Sequence, residues 1–341
     1  MGLQPLPRPW IGLALISLAL IWLIRLLSPS HNRHAIDGVV PLMPNDVKLT
    51  DKPAETPVPL TSPSRAPPAY DGPPIPRKIW HIFFPLNDVV TDKNVKFVAD
   101  WIKSAPGYTY TLLGAEGGSA LMAAYYGPES EQFVLFNQLK NPALKSDLLR
   151  YHVLAAEGGY YADVDTRPLL PIQDWIDSSL RPKVRLVCAP EFDVGITPEE
   201  NPLYNIRFGQ WVIAGAPGHP VLQRMARRAL DGVRDLATAA GTTLDRVRPN
   251  NIQVLNATGP LPWTEVIWDY LREVDPTLLT DYSSISQLSE PRLVGDVLVM
   301  PIVSFRAPTK EEAPWFEEHG DHRVLEHHMQ GTWRFWKPPP E

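Results

Sequence analysis

The sequence predicts an α/β protein built on a parallel sheet, and three observations carry that expectation. From residue 75 onward, short apolar runs of strand length alternate with stretches of helical period. The glycine pair Gly158-Gly159 stops one such helix and leads into a strand-like run. Two carboxylates, Asp163 and Asp165, follow that strand, and open α/β sheets place ligands beyond the carboxyl ends of their strands. With 341 residues, 44% of them hydrophobic, the chain can bury a sizeable core. Its net charge of −6 gives no basic footprint for nucleic acid, so that partner class is not expected.

Taken in order, the chain opens with residues 1–9, a short tail, and then an apolar run from Trp10 to Leu27 interrupted only by Ser17 and Arg25. As a helix this run spans roughly 27 Å, close to the hydrocarbon thickness of a bilayer. It is longer than the apolar part of a signal peptide and no Ala-x-Ala site follows, which favours an uncleaved transmembrane anchor over 10–27. Arg8 precedes the span while Arg25 and Arg33 follow it, so the flanking charges mildly disfavour a cytoplasmic amino end. Residues 28–74 read as a Pro-rich stem, with Pro57, Pro59, Pro63, Pro67, Pro68, Pro73 and Pro74 in its second half. Such a segment cannot bury a core and extends in polyproline-II fashion.

A catalytic domain is expected over 75–336, followed by a tail at 337–341. "KIWHIFF" reads as a buried strand, "NVKFVADWIKS" as an amphipathic helix and "YTYTLL" as the next strand. Asn141-Pro142 opens a helix in which Leu144, Leu148, Tyr151 and Ala155 recur on one stripe. "VRLVCAP", "QWVIAG" and "DVLVMPI" supply further strands, and a helix from His219 turns Leu222, Met225, Ala226 and Leu230 inward. The single cysteine, Cys188, falls in an apolar strand, forms no intramolecular disulfide and is expected in the core.

The chemistry concentrates between Lys145 and Thr166. Side chains alternate along a strand, so Asp163 and Asp165 point the same way while Val164 points into the core. Two converging carboxylates suit Mg²⁺ or Mn²⁺, which are held by one or two protein carboxylates plus substrate phosphates. Asp147 and Arg150 lie together off the helix stripe, either as a surface ion pair or, beside a diphosphate site, with Asp147 on a ribose or base and Arg150 toward phosphate. His327 or His328 offers a third ligand, with a solvated histidine as the alternative. Trp80 and Tyr151 suit either stacking on a base or the core.

"KSDLLRYHVLAAEGGYYADVDTRPLLPI" resembles the core of the family 32 glycosyltransferases, which carry a DXD sugar-binding motif and include fungal α-1,6-mannosyltransferases of the Golgi. "IPRKIWHIF", "WIKSAPGYTYTLL", "WVIAGAPGHPVL", "NATGPLPWTEVI" and "HHMQGTW" resemble other blocks of that family in order, over roughly residues 75 to 336. The terminal block departs from the family's Gly-Ser-Trp, reading Gly331-Thr332-Trp333. The resemblance implies a GT-A type, Rossmann-like nucleotide-sugar transferase fold with a smaller mixed sheet. It implies catalytic Asp163 and Asp165, a nucleotide-sugar site of Trp80, Asp147, Arg150, Tyr151, Gly159 and Asp163, and a metal held by Asp165, Asp163 and His328.

The same resemblance implies Mn²⁺ or Mg²⁺ as cofactor, with a nucleotide-sugar donor, GDP-mannose favoured. The acceptor is a glycan on a glycoprotein or glycolipid and the configuration is retained; retention identifies no nucleophile, so Glu191 and Asp193 are the carboxylates to test, with attack by the acceptor hydroxyl on the face the nucleotide leaves as the alternative. It also implies a single-pass type II Golgi membrane protein with a lumenal catalytic domain, with a glycosyltransferase complex as a further partner. Asn256-Ala257-Thr258 is formally a glycosylation acceptor, in a block that the resemblance places near the donor pocket. A phosphatase of the haloacid dehalogenase type also uses Asp-x-Asp, but requires Thr or Val where this chain has Arg167. A non-catalytic subunit on the same fold is the other rival, and ligand loss would be its sign.

Overall fold

The computed structural model describes residues 69–85, 95–195, 202–306, 323–331 and 334, all within one compact unit. The expected anchor, most of the stem and the terminal tails lie outside the described residues, among which no helix is long and apolar enough to cross a membrane. The first half contains β1 (Lys78–Ile82), α1 (Val98–Ser104), β2 (Thr109–Leu113), α2 (Ala115–Tyr126), α3 (Glu131–Gln138), α4 (Pro142–Glu157), β3 (Gly159–Ala162) and β4 (Thr166–Pro168). A central stretch follows with β5 (Leu186–Cys188), β6 (Pro190–Asp193), α5 (Pro202–Asn205), β7 (Ile206–Phe208) and β8 (Val212–Gly215). Then come α6 (Pro220–Ala239), α7 (Asn251–Ala257), α8 (Pro260–Val274), β9 (Arg292–Val294), β10 (Val297–Val299) and β11 (Leu325–His327).

Seven strands make the central sheet in the order β2-β1-β3-β8-β5-β10-β9. β1 pairs parallel with β2 and β3, and β10 with β5. β8, however, runs antiparallel to both β3 and β5, and β9 antiparallel to β10, so the sheet is mixed where a parallel one was expected. The cause is local. β5 continues into β6, whose antiparallel partner β7 reverses the chain, and only residues 209–211 separate β7 from β8. With no crossover helix in that connection, the chain returns antiparallel. The mixed sheet with helices packed on it fits a GT-A type α/β layout.

Both faces of the sheet are covered, which is why its strands read as continuous apolar runs. Alternate residues feed two cores: Trp80, Ile82, Tyr161, Cys188 and Ile213 on one face, Ile79, Tyr160, Ala162, Val187 and Ala214 on the other. Helix α4 fills the centre of the first core. Asn141 caps it, accepting the N–H groups of Ala143 and Leu144 at 3.0 and 3.2 Å, with Pro142 opening its first turn. At its far end Gly158 and Gly159 take φ of 63° and 113°. A Cβ on Gly158 would meet Gly215 O and Pro217 at 2.6 to 2.7 Å, and one on Gly159 would meet Lys78 O at 2.7 Å. The pair lets the chain leave the helix and enter β3 directly beneath the site.

The packed body begins ahead of residue 75. Tyr70 donates its N–H to Tyr270 Oη at 3.1 Å and Asp296 Oδ1 at 3.3 Å, and its hydroxyl to Pro217 O at 2.9 Å. Buried His219 completes this cluster with Nε2 at 2.8 Å from Asp296 Oδ2.

Candidate active site

Asp163, Val164 and Asp165 lie in a turn between β3 and β4, not on a strand. Convergence of the two carboxylates comes from that turn rather than from strand alternation, and Val164 is only partly buried. Two bonds fix the turn: Thr166 donates its N–H to Asp163 O at 3.1 Å and its hydroxyl to the same oxygen at 2.6 Å. The Asp163 N–H reaches Trp211 O at 2.8 Å, tying the turn to the entrance of β8.

The third member is brought from the far end of the sequence. β11 pairs antiparallel with β4 in the register His327 opposite Thr166, which sets the His327 imidazole over the turn. His327 Nε2 lies 3.2 Å from Asp165 Oδ1, and its ring packs against Trp211 with centroids 4.9 Å apart. Asp163, Asp165 and His327 each bring a ligand atom within 4.8 Å of the others. His328, the residue expected there, turns away, since neighbours in a strand face opposite sides. Its ring stacks on Phe97 at 4.3 Å and its Nε2 lies 3.5 Å from Glu326.

Each carboxylate is tuned by its own neighbours. Burial alone would raise Asp165, but His327 beside it and the Gln330 N–H at 2.8 Å hold it below the usual carboxylate range. Asp163 is pushed up by burial against the pull of Arg150, and accepts the Tyr161 hydroxyl. Two oxygens and one imidazole nitrogen form a donor set suited to Mn²⁺ or Mg²⁺, and buried His327 Nδ1 has no hydrogen-bond partner among the described residues.

The Asp147–Arg150 pair is buried rather than on the surface, because α4 is packed all round. Arg150 Nη2 lies 2.9 Å from Asp147 and 3.5 Å from Asp163, so one guanidinium links both carboxylates. It also donates to Gln210 O at 3.0 Å and lies over the Tyr161 ring at 4.5 Å. Asp147 accepts the Thr258 hydroxyl at 2.6 Å and Gln210 Nε2 at 3.3 Å, and burial pushes its carboxyl up to about 6 despite Arg150. Tyr151 is fully buried, donating to Thr258 O at 3.0 Å and stacked on Trp263, so it braces the site from below.

Trp80 and Gly159 do not reach the site as expected. The Trp80 indole is buried and donates to Gly158 O at 2.8 Å, and Gly159 closes against Lys78 and Trp80. Both shape the helix-to-strand junction. Of the ribbon carboxylates, Glu191 ion-pairs with Arg207 and stands within electrostatic reach of His327 and Tyr151. Asp193 is engaged by Ser286 Oγ at 2.8 Å and by the Gly195 and Gln287 N–H groups. Cys188 is buried, and burial pushes its thiol up. Thr258 of the Asn256 sequon is fully buried on Asp147.

Sequence reasoning missed Gln210 and Thr258, which hold Asp147, and Tyr161, which holds Asp163. Thr258 falls in the "NATGP" block, Tyr161 in the block around the Asp-x-Asp pair and Gln210 at the head of "QWVIAG".

The mixed α/β sheet thus carries, at the carboxyl end of β3, an Asp-x-Asp turn closed by His327. Residues 91–181 match the family model described as "Glycosyltransferase sugar-binding region containing DXD motif". The chain is 33% identical over 266 residues to "Initiation-specific alpha-1,6-mannosyltransferase" of Schizosaccharomyces pombe, covering 76% of this chain and 64% of that one. It is 27% identical to "Putative glycosyltransferase HOC1" of Saccharomyces cerevisiae over 279 residues, 78% of this chain and 66% of the other. The chain thus spans just under two thirds of these relatives' lengths. Among solved structures, "PaToxG Glycosyltransferase" aligns at a TM-score of 0.39 and 20% identity, over 60% of this chain and 73% of that one.

Proposed function

We propose that the chain is a metal-dependent glycosyltransferase that moves a hexose, mannose from GDP-mannose by preference, to a glycan acceptor with retention of configuration. The observation that carries this reading is the convergence of Asp163, Asp165 and His327. The mannosyl preference and an α-1,6 product rest on the name of the similar Schizosaccharomyces pombe protein, and a glycolipid acceptor is the alternative. The apolar run at 10–27 supports a membrane-anchored chain, and a head in the Golgi lumen rests on the family resemblance alone, against the flanking charges.

In the reaction the bond from the donor's anomeric carbon to the diphosphate breaks, a bond from that carbon to an acceptor oxygen forms, and the acceptor's hydroxyl proton is released. A divalent cation on this donor set supplies Lewis-acid neutralisation of the leaving diphosphate. Asp165 stays ionised through His327 and the Gln330 N–H, while Tyr161 and Arg150 fix the orientation of Asp163. Arg150 and Asp147, desolvated together and held by Thr258 and Gln210, fix a charged pair directly behind Asp163. Glu191, raised by burial and steadied by Arg207, is the carboxylate suited to receive the acceptor's proton.

The test is a screen of GDP- and UDP-sugars against mannose-bearing glycans, with Mn²⁺ or with EDTA. Transfer from GDP-mannose that disappears in EDTA is expected. Metal-dependent transfer from a different donor would redirect the specificity. No transfer or donor hydrolysis with any sugar nucleotide would favour the non-catalytic subunit.

A further inference from the structure

At the amino ends of β1, β2 and β3, opposite to the edge that carries the Asp-x-Asp turn, the fold forms a partly open pocket of about 370 Å³. Arg77 just ahead of β1, Tyr108 just ahead of β2, Tyr160 in β3 and Arg181 line it, above an apolar floor that includes Ile172 and Ile176. The two tyrosine rings meet edge to face at 5.8 Å, and the Arg77 guanidinium stands 6.0 Å from the Tyr108 centroid. Burial pushes both tyrosine hydroxyls up while Arg77 and Arg181 pull them back, so both guanidiniums act on both hydroxyls. Arg181 is held by the carbonyls of Gln173 and Ile176. Asp177 feels the Arg181 charge, while the Arg181 guanidinium itself is bonded to backbone carbonyls.

We propose that this cavity is a second small-molecule site, taking a phosphate monoester on a sugar-sized body. Two guanidiniums and the mutually hydrogen-bonded hydroxyls of Tyr108 and Tyr160, carried by separate segments, match a tetrahedral dianion with acceptors in several directions. The apolar floor suits the C–H face of a ring. The volume sits at the lower end of the range for small-molecule sites, room for one ring with its phosphate rather than a sugar nucleotide. The proposal stands independently of the transferase reading, because none of these residues belongs to the Asp-x-Asp cluster.

Isothermal titration of the full chain in detergent, with EDTA present, tests it using hexose 6-phosphate, inorganic phosphate and the unphosphorylated hexose. Hexose 6-phosphate should bind at least about tenfold more tightly than inorganic phosphate, and the neutral hexose should not bind. Arg77→Gln and Arg181→Gln should each weaken binding about tenfold or more, as loss of a charge-assisted hydrogen bond does. Arg77 is exposed, so its variant folds even if Arg181→Gln does not. Asp165→Asn should leave this affinity unchanged. No binding up to about 10 mM, equal affinity for bare phosphate, or full affinity in Arg77→Gln would overturn the proposal, and loss in Asp165→Asn would place the ligand in the donor site.

Discussion

Arg150→Met removes the cation that links Asp147 and Asp163 while keeping a side chain of similar reach. The guanidinium lies 2.9 Å from Asp147 and 3.5 Å from Asp163, with Arg150 and Asp147 side chains only 6% and 5% exposed. At an effective dielectric of about 20, the closer pair alone is worth about 6 kcal/mol of Coulomb energy, less the desolvation of both charges. Breaking such a pair from one side costs about 3–5 kcal/mol, because a buried charge is left uncompensated. Asp147 already titrates near 6, so the variant should take up a proton at neutral pH and recover part of that loss. The sign is definite: a carboxyl raised in the folded state binds its proton more tightly there, so its burden on stability grows as pH rises through about 6. Urea unfolding of the full chain in detergent at pH 5 and 7.5 should show the deficit shrinking at pH 5. Asp147→Asn added to Arg150→Met should restore about half of the lost stability. A deficit below about 1 kcal/mol, independent of pH and unaffected by Asp147→Asn, would refute the buried-pair reasoning.

Two further outcomes follow from the same packing. His81 and His152 are buried neutral, lowered by desolvation from 6.5 to about 3 and about 4, so the unfolded chain takes up protons first as pH falls below 6.5. Between pH 7.5 and 5 this should cost about 4 kcal/mol, with about 1 returned by Asp147, measurable as a falling urea midpoint; a flat profile would contradict their burial. Trp80→Phe removes the donor to Gly158 O and should cost about 1–2 kcal/mol of stability. The donor KM should stay within about twofold. A large rise in KM at unchanged stability would return Trp80 to base stacking.

Much of the site was legible because its signals are local. The Asp-x-Asp pair, the Asn141-Pro142 helix start and the Gly158-Gly159 stop each depend on a few adjacent residues, and the structure keeps the helix and the stop. What was illegible depends on distant partners. The choice of His327 over His328 is fixed by the β11–β4 register, invisible until two segments about 160 residues apart pair. The sequence leaves Asp147 and Arg150 open between a surface ion pair and a nucleotide site because the helical stripe counts only apolar residues, and Thr258 and Gln210 arrive from elsewhere to satisfy them in the interior. The antiparallel β8 follows from a short reversal at β6–β7 that apolar runs do not reveal.

The central claim is that Asp163, Asp165 and His327 together hold a divalent cation. Mn²⁺ binding to the full chain, followed by electron paramagnetic resonance in the presence of GDP, measures it without any turnover. Asp165→Asn and His327→Ala should each weaken Mn²⁺ binding by at least about tenfold, while His328→Ala, whose ring stacks on Phe97, should bind as the parent does. Undiminished binding in folded Asp165→Asn and His327→Ala would contradict the account, and loss in His328→Ala alone would give the third position to the other histidine.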